Sequence, residues 1–196
     1  MNNDAAIRAF LAITPPVEIR KEIGNIQHRL KRSCPFDIRW VKPESIHVTL
    51  KFFGNLAAAD ITALAPIVER HSAAFAPLPL TVKRLGVFPS LQRPRVLWIG
   101  LEGGTAPLST LRQNLDQEWA ACGFTREDKP FRPHLTIGRI KSVRLSGDPV
   151  PFLAPARDWS AGSFRADGLT LFQSLLTPRG ALYRQLARFP FGGGKP

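Results

Sequence analysis

The sequence predicts an α+β chain folded as two facing, pseudo-symmetric lobes. Three observations predict it. Short runs of alternating apolar and polar residues recur along the chain, the period-2 pattern of half-buried strands. Between them lie longer segments whose apolar residues repeat at three- and four-residue steps, the stripe of amphipathic helices. Finally, a His-x-Thr core inside one such alternating run, His47-Val48-Thr49-Leu50, returns nearly half a chain-length later as His134-Leu135-Thr136-Ile137.

Taken in order, Ile7 to Ile13 alternates as a first strand and is closed by Pro15-Pro16. From Val17 to Arg32, Ile19, Ile23, Ile26 and Leu30 mark a helix, with His28 off its stripe. An extended piece around Ile38 to Val41 leads into the first motif strand, where Ile46, Val48 and Leu50 alternate with His47 and Thr49. A second helix starts near Asp60 and turns Ile61, Leu64 and Ile67 or Val68 inward; His71 falls in its last turn, a position a surface histidine occupies favourably. Leu78 to Phe88 and Arg95 to Leu101 read as strands joined by turn chemistry at 89–94. A third helix runs from Thr105 to Cys122 with Leu108, Leu111, Leu115 and Trp119 on one face and Gly123 placed to end it. The second motif strand follows, then a proline-rich loop, a strand at Gly168 to Ser174, a turn at 178–180 and a last strand from Ala181 to Phe189. Residues 1–190 are thus expected to form a single two-lobed domain with one motif per lobe, at 47–50 and 134–137. The glycine-rich end, 191–196, predicts a flexible tail, since no helix follows it to make a phosphate loop.

Composition narrows the partners. The 196 residues carry 27 Lys+Arg against 15 Asp+Glu, a net charge of +12, which makes an anionic partner such as RNA, DNA or a nucleotide the natural expectation, though charge alone fits a uniformly basic soluble surface equally well. Cys34 and Cys122 match neither a metal motif nor a disulfide framework and suit a reducing compartment. No apolar run reaches the length of a membrane span, so a cytoplasmic protein with no membrane partner is expected.

A strand carrying His-x-Thr presents both side chains on one face, so two such strands set two imidazoles and two hydroxyls before a common space. A metal centre needs three or four protein ligands, and no Asp, Glu, Cys or further His stands at ligand spacing around either motif. Nucleophilic catalysis needs a serine or cysteine beside its base, and neither histidine has one. General acid–base catalysis remains: one neutral imidazole takes a proton from water or a hydroxyl while the other, protonated, gives one to a leaving oxygen. In-line displacement at phosphorus requires base and acid on opposite sides, which two lobes supply. Thr49 and Thr136 could donate to the non-bridging oxygens. A strained 2′,3′-cyclic ribose phosphate is a substrate activated enough to need no metal.

These motifs resemble those of the 2H phosphoesterase superfamily. Their surroundings, Trp40 to Glu44, Lys51 to Gly54, Phe88 to Ser90, Arg93 to Trp98, Arg132 to Arg139, Leu171 to Ser174 and Gly180 to Tyr183, resemble its RNA 2′,3′-cyclic phosphodiesterase (2′-5′ RNA ligase) family. Phe53 stands where that family usually has Leu, and Ile137-Gly138 where it has Leu-Ala. The resemblance implies antiparallel sheets lining a central groove with helices outside, and hydrolysis of RNA or nucleotide 2′,3′-cyclic phosphates to 2′-phosphomonoesters without a cofactor, by a monomer. It also implies His47 as proton donor and His134 as proton acceptor, with Thr49 and Thr136 holding phosphate. Arg139 lies at an odd offset from His134 and faces away on a continuing strand; a bend at Gly138 would bring it to phosphate or base, against a surface role. Trp40, Trp98 and Phe52 are either base-stacking or core aromatics, Arg93 and Arg95 RNA-backbone contacts or solvated cations, and Tyr183 either packs or caps the groove. The reverse reaction, 2′-5′ ligation, an RNA-end-binding module without turnover and a 2′-5′ oligonucleotide phosphodiesterase stay open as alternatives.

Overall fold

A computed structural model describes residues 6–32, 34, 36–127, 129–143, 152, 159–178 and 180–193. Strands β1 (Ile7–Ile13), β2 (Phe36–Trp40), β3 (Val48–Leu56), β4 (Leu78–Phe88), β5 (Val96–Gly103), β6 (His134–Val143), β7 (Ser160–Ala166), β8 (Gly168–Thr177) and β9 (Gly180–Pro190) join in one antiparallel sheet. Its order is β7-β4-β5-β6-β3-β1-β8-β9, with β2 also paired to β6. Helices α1 (Val17–Arg32), α2 (Ala58–Ala74) and α3 (Thr105–Ala121) supply the apolar stripes that cover one face. The stripe predicted for α1 is buried at Ile19, Ile23, Ile26 and Leu30, and that of α3 at Leu108, Leu111, Leu115 and Trp119. They pack on Leu11, Val48, Leu97, Ile99, Leu135 and Leu171 in a single core cluster. Each fully buried aliphatic side chain there contributes about 1.5–3 kcal/mol. Among the described residues no helix is long and apolar enough to cross a membrane.

The sheet is symmetric about the junction of β6 and β3, which are joined at one residue pair, Val48 with Leu135. On one side stand β3, β1, β8 and β9; on the other β6, β5, β4 and β7. Each side mixes both parts of the sequence, because β4 crosses to the side of the second motif and β8 and β9 return to that of the first. The two expected groups of strands are therefore continuous with each other, and the groove is the unpaired face over their junction.

Three local expectations need correction. The region before Gly168, expected to be loop, contains β7, paired along β4 from Leu78↔Ala166 to Lys83↔Ser160. A register shift between Val82 and Lys83 and the left-handed Gly162 (φ 94°) break the alternation that would have betrayed it. The proline-rich loop otherwise lies outside the described residues, apart from Phe152, which meets Phe36 edge-on. His71 is more than a surface residue: its Nε2 lies 2.7 Å from Glu118 on α3 and ties α2 to α3. Phe191 and Gly192 belong to no frayed end, since their amides donate to Asp167 O and Ser72 O; residues 194–196 lie outside the described residues.

Candidate active site

The Val48–Leu135 pair fixes the site. In antiparallel register the neighbours on either side also face each other, which sets His47 opposite Thr136 and Thr49 opposite His134. Val48 and Leu135 are fully buried on the helix face, so the two histidines and two threonines share the open face. Diagonal neighbours in such a ladder lie about 7–8 Å apart, which leaves room for a phosphate between the rings. Among the described residues neither threonine hydroxyl has a protein partner, and no group of three or more His, Cys, Asp or Glu side chains converges as a metal site.

Both imidazoles are held in the same way. His47 Nδ1 lies 2.8 Å from Ser45 O, and His134 Nδ1 lies 2.6 Å from Arg132 O. A carbonyl oxygen only accepts, so each Nδ1 carries the hydrogen and each Nε2 is left to take or give a proton toward the groove. The repeated bond to the carbonyl two residues back is the physical content of the repeated motif.

Surroundings distinguish the two rings. His47 stacks on Phe10 (4.6 Å between centroids) and meets the edge of Tyr183 at 5.2 Å. His134 meets Phe88 edge-on at 5.0 Å, with Trp98 at 6.4 Å. Burial lowers the His47 pKa to about 4; its bond to Ser45 opposes this, while the charges of Arg139 and His134 add to it. In the ligand-free protein His47 is therefore neutral at neutral pH.

Arg139 reaches the groove by a bulge, and not by the bend expected at Gly138. Along β5 the partners run Gly100↔His134, Ile99↔Leu135, Trp98↔Thr136, Leu97↔Gly138 and Val96↔Arg139, leaving Ile137 as the extra residue. One extra residue reverses the parity, so Arg139 shares the face of His134 and Thr136. The first motif has the same device: Ala12 pairs with Thr49 and Leu11 with Lys51, leaving Leu50 as the extra residue. The counterpart of Arg139 is accordingly Phe52, 43% exposed, with the Arg8 guanidinium 4.6 Å from its ring centre.

Behind the bulges stand residues that sequence reasoning missed. Gln27 on α1, buried, donates from Nε2 to Ile137 O at 2.9 Å and to Val41 O at 2.7 Å. On α3 the matching stripe position is Asp116, which pairs with Lys51 of β3; Lys51 Nζ also donates to Thr125 O at 2.6 Å. Burial pushes the Asp116 carboxyl up, but bonds from Lys51 and the Glu127 amide and the charges of Lys51 and Arg112 hold it below the usual range. Each helix thus braces the motif strand of the other half of the sequence. The signal was a polar residue on an apolar stripe, beside Ile26 in one helix and Leu115 in the other.

The remaining candidates divide. Trp98 is half-buried, its ring lying where a Cβ on Gly86 would come within 2.2 Å, and it lines a cleft of about 460 Å³ with Arg132 and Phe131. Trp40 is half-buried near Lys31, away from the groove face. Arg93 and Arg95 are exposed. Tyr183 lies in the groove against His47, as a cap would.

Comparison with known proteins adds independent findings. A family model described as LigT like phosphoesterase matches twice, at residues 13–98 and 99–183, once per motif. A Methanothermobacter thermautotrophicus protein named RNA 2′,3′-cyclic phosphodiesterase is 32% identical over 93% of this chain and 98% of its own. A Thermotoga maritima protein of the same name is 34% identical over 96% of this chain and 97% of its own. Among solved structures, E. coli LigT complexed with 3′-AMP superposes with a TM-score of 0.76 at 28% identity, covering 95% of this chain and 98% of that one.

Proposed function

The chain belongs to the LigT-like phosphoesterase family, and from that premise we propose that it hydrolyses RNA or nucleotide 2′,3′-cyclic phosphates to 2′-phosphomonoesters through His47 and His134. One observation carries this: two imidazoles, each with Nδ1–H held by a backbone carbonyl, present free Nε2 atoms to one groove from opposite sides of the β3–β6 junction. His134 Nε2 takes a proton from water as the oxygen attacks phosphorus. The bond from phosphorus to the 3′ oxygen breaks, and His47 Nε2 returns a proton to that oxygen. Thr49, Thr136 and Arg139 hold the non-bridging oxygens, where charge gathers.

His47 must be charged to act as donor, although it is neutral in the ligand-free protein. The substrate's own phosphate supplies the remedy. An anion between the rings offsets the charges of Arg139 and His134 and accepts a hydrogen bond from the imidazolium. Proton uptake by His47 therefore accompanies binding. With an RNA 5′-hydroxyl in the place of water, the same displacement breaks the same bond from phosphorus to the 3′ oxygen and joins the two ends through a 2′-5′ bond.

Incubation with 2′,3′-cyclic AMP, with and without chelator, should give the 2′-phosphate alone. His47→Ala and His134→Ala should each lose about 10²–10⁴-fold in kcat with an unchanged circular dichroism spectrum. Binding without product in the wild type would leave an end-binding module, and full chelator sensitivity would refute the two-histidine chemistry. A cyclic substrate with sulfur at the 3′ bridging position needs no proton on its leaving atom. It should rescue His47→Ala and not His134→Ala, and the opposite rescue would exchange the two roles.

A further inference from the structure

Arg39 and Arg139 stand directly opposite each other where β2 pairs with β6, and both are exposed. Directly opposed residues share a face, with Cβ atoms about 4.5–5.5 Å apart. The other face is closed at Gly138, where an added Cβ would come within 2.6 Å of Ile38 and 3.8 Å of Leu97 and Trp40. Both arginines therefore project on the groove side.

Like charges so placed repel, and among the described residues neither arginine has an ion-pair partner. Asp37, two residues along β2, lies 3.8 Å from Lys141. Two planar guanidinium groups side by side, each with five donors, gain most from an anion that bridges them. With Ile137 bulged out, Arg139 is the next groove-facing residue after Thr136, about 7 Å along the strand by the usual rise. Its charge already reaches His47. The pair thus lies one step beyond the reacting phosphate. It lies on one side only, since the equivalent position in the first motif is Phe52.

The geometry points to a second phosphate subsite, in which Arg39 and Arg139 grip the phosphodiester that precedes the terminal cyclic phosphate. The preferred substrate class is then the 3′ end of an oligoribonucleotide, and a free cyclic mononucleotide is the poorer one. This rests on the function proposed above, and the test separates the two.

Two measurements are made on wild type, Arg39→Ala and Arg39→Lys. The first is the ratio of kcat/KM for a dinucleotide with a 2′,3′-cyclic phosphate end to that for 2′,3′-cyclic AMP. The second is the salt dependence of binding for a labelled oligoribonucleotide ending in a 2′-phosphate. Arg39→Ala should lower the ratio about tenfold and reduce the log–log salt slope by about 1, and Arg39→Lys should restore the slope. An unchanged ratio together with an unchanged slope overturns the subsite while leaving the hydrolytic function in place. A wild type that hydrolyses neither compound, yet loses slope on Arg39→Ala, sinks that function and upholds the subsite.

Discussion

Lowering the pH should destabilise this protein through His47, by an amount the structure sets. The ring's folded pKa of about 4 lies below the 6.5 of an unfolded histidine, chiefly because it is buried among Phe10, Phe172 and Tyr183. Between those two values the unfolded chain binds the proton and the folded one does not, so stability is full above pH 6.5 and falls as pH drops toward 4. A shift of about 2.5 units corresponds to about 3 kcal/mol in all, of which about 2 kcal/mol is lost between pH 7.5 and 5. Urea unfolding at those two pH values, in wild type and His47→Gln, isolates the term, because the other histidines titrate in both proteins. The wild type should lose about 2 kcal/mol more than the variant across the window. Saturation with a nucleoside 2′-phosphate should shrink that difference, since the anion raises the ring's pKa. Equal losses in both proteins would show that His47 is solvated and charged in the usual way, and the account of proton uptake on binding would fall with it.

Further outcomes follow from the braces behind the motifs. Gln27→Leu removes one buried and one partly buried hydrogen bond and strands the Val41 carbonyl; it should cost about 2–3 kcal/mol in urea unfolding and lower kcat/KM under conditions where the protein stays folded, and an unchanged rate would dismiss any link from Gln27 to the Ile137 bulge. Lys51→Met leaves Asp116 buried and unpaired and should cost about 3–5 kcal/mol, while adding Asp116→Leu should recover most of it; a double variant no better than the single would assign the loss to packing. The pH profile of kcat/KM should break near 4 on its acidic side, well below an ordinary histidine, and His47→Ala should remove that break together with the fall in activity at high pH, leaving only the rise set by the remaining base.

What the sequence made legible was local. The α1 boundaries and those of β4 coincide with prediction because a complete apolar period is bracketed by proline or glycine. The shared face of each His-Thr pair followed from alternation alone. The orientation of Arg139 did not, because parity counted along β6 fails at the Ile137 bulge, and that bulge is held by Gln27, 110 residues away. Nor could local pattern show that β4 and β8 exchange sides, or that each helix braces the other half's motif, since strand partners are chosen by packing across the whole sheet. The likeness of the motifs also concealed a difference. Both carry the same bulge one place after the threonine, at Leu50 and at Ile137, so the backbone offers equivalent positions on the two sides of the groove. On one side that position holds Phe52 beneath Arg8, and on the other Arg139 beside Arg39. Under the proposed function the repeated motif supplies two proton-transfer groups, while the next groove-facing residue after each bulge makes the two sides of the groove chemically unlike. An asymmetric strand of RNA has a reason to lie in such a groove in one direction.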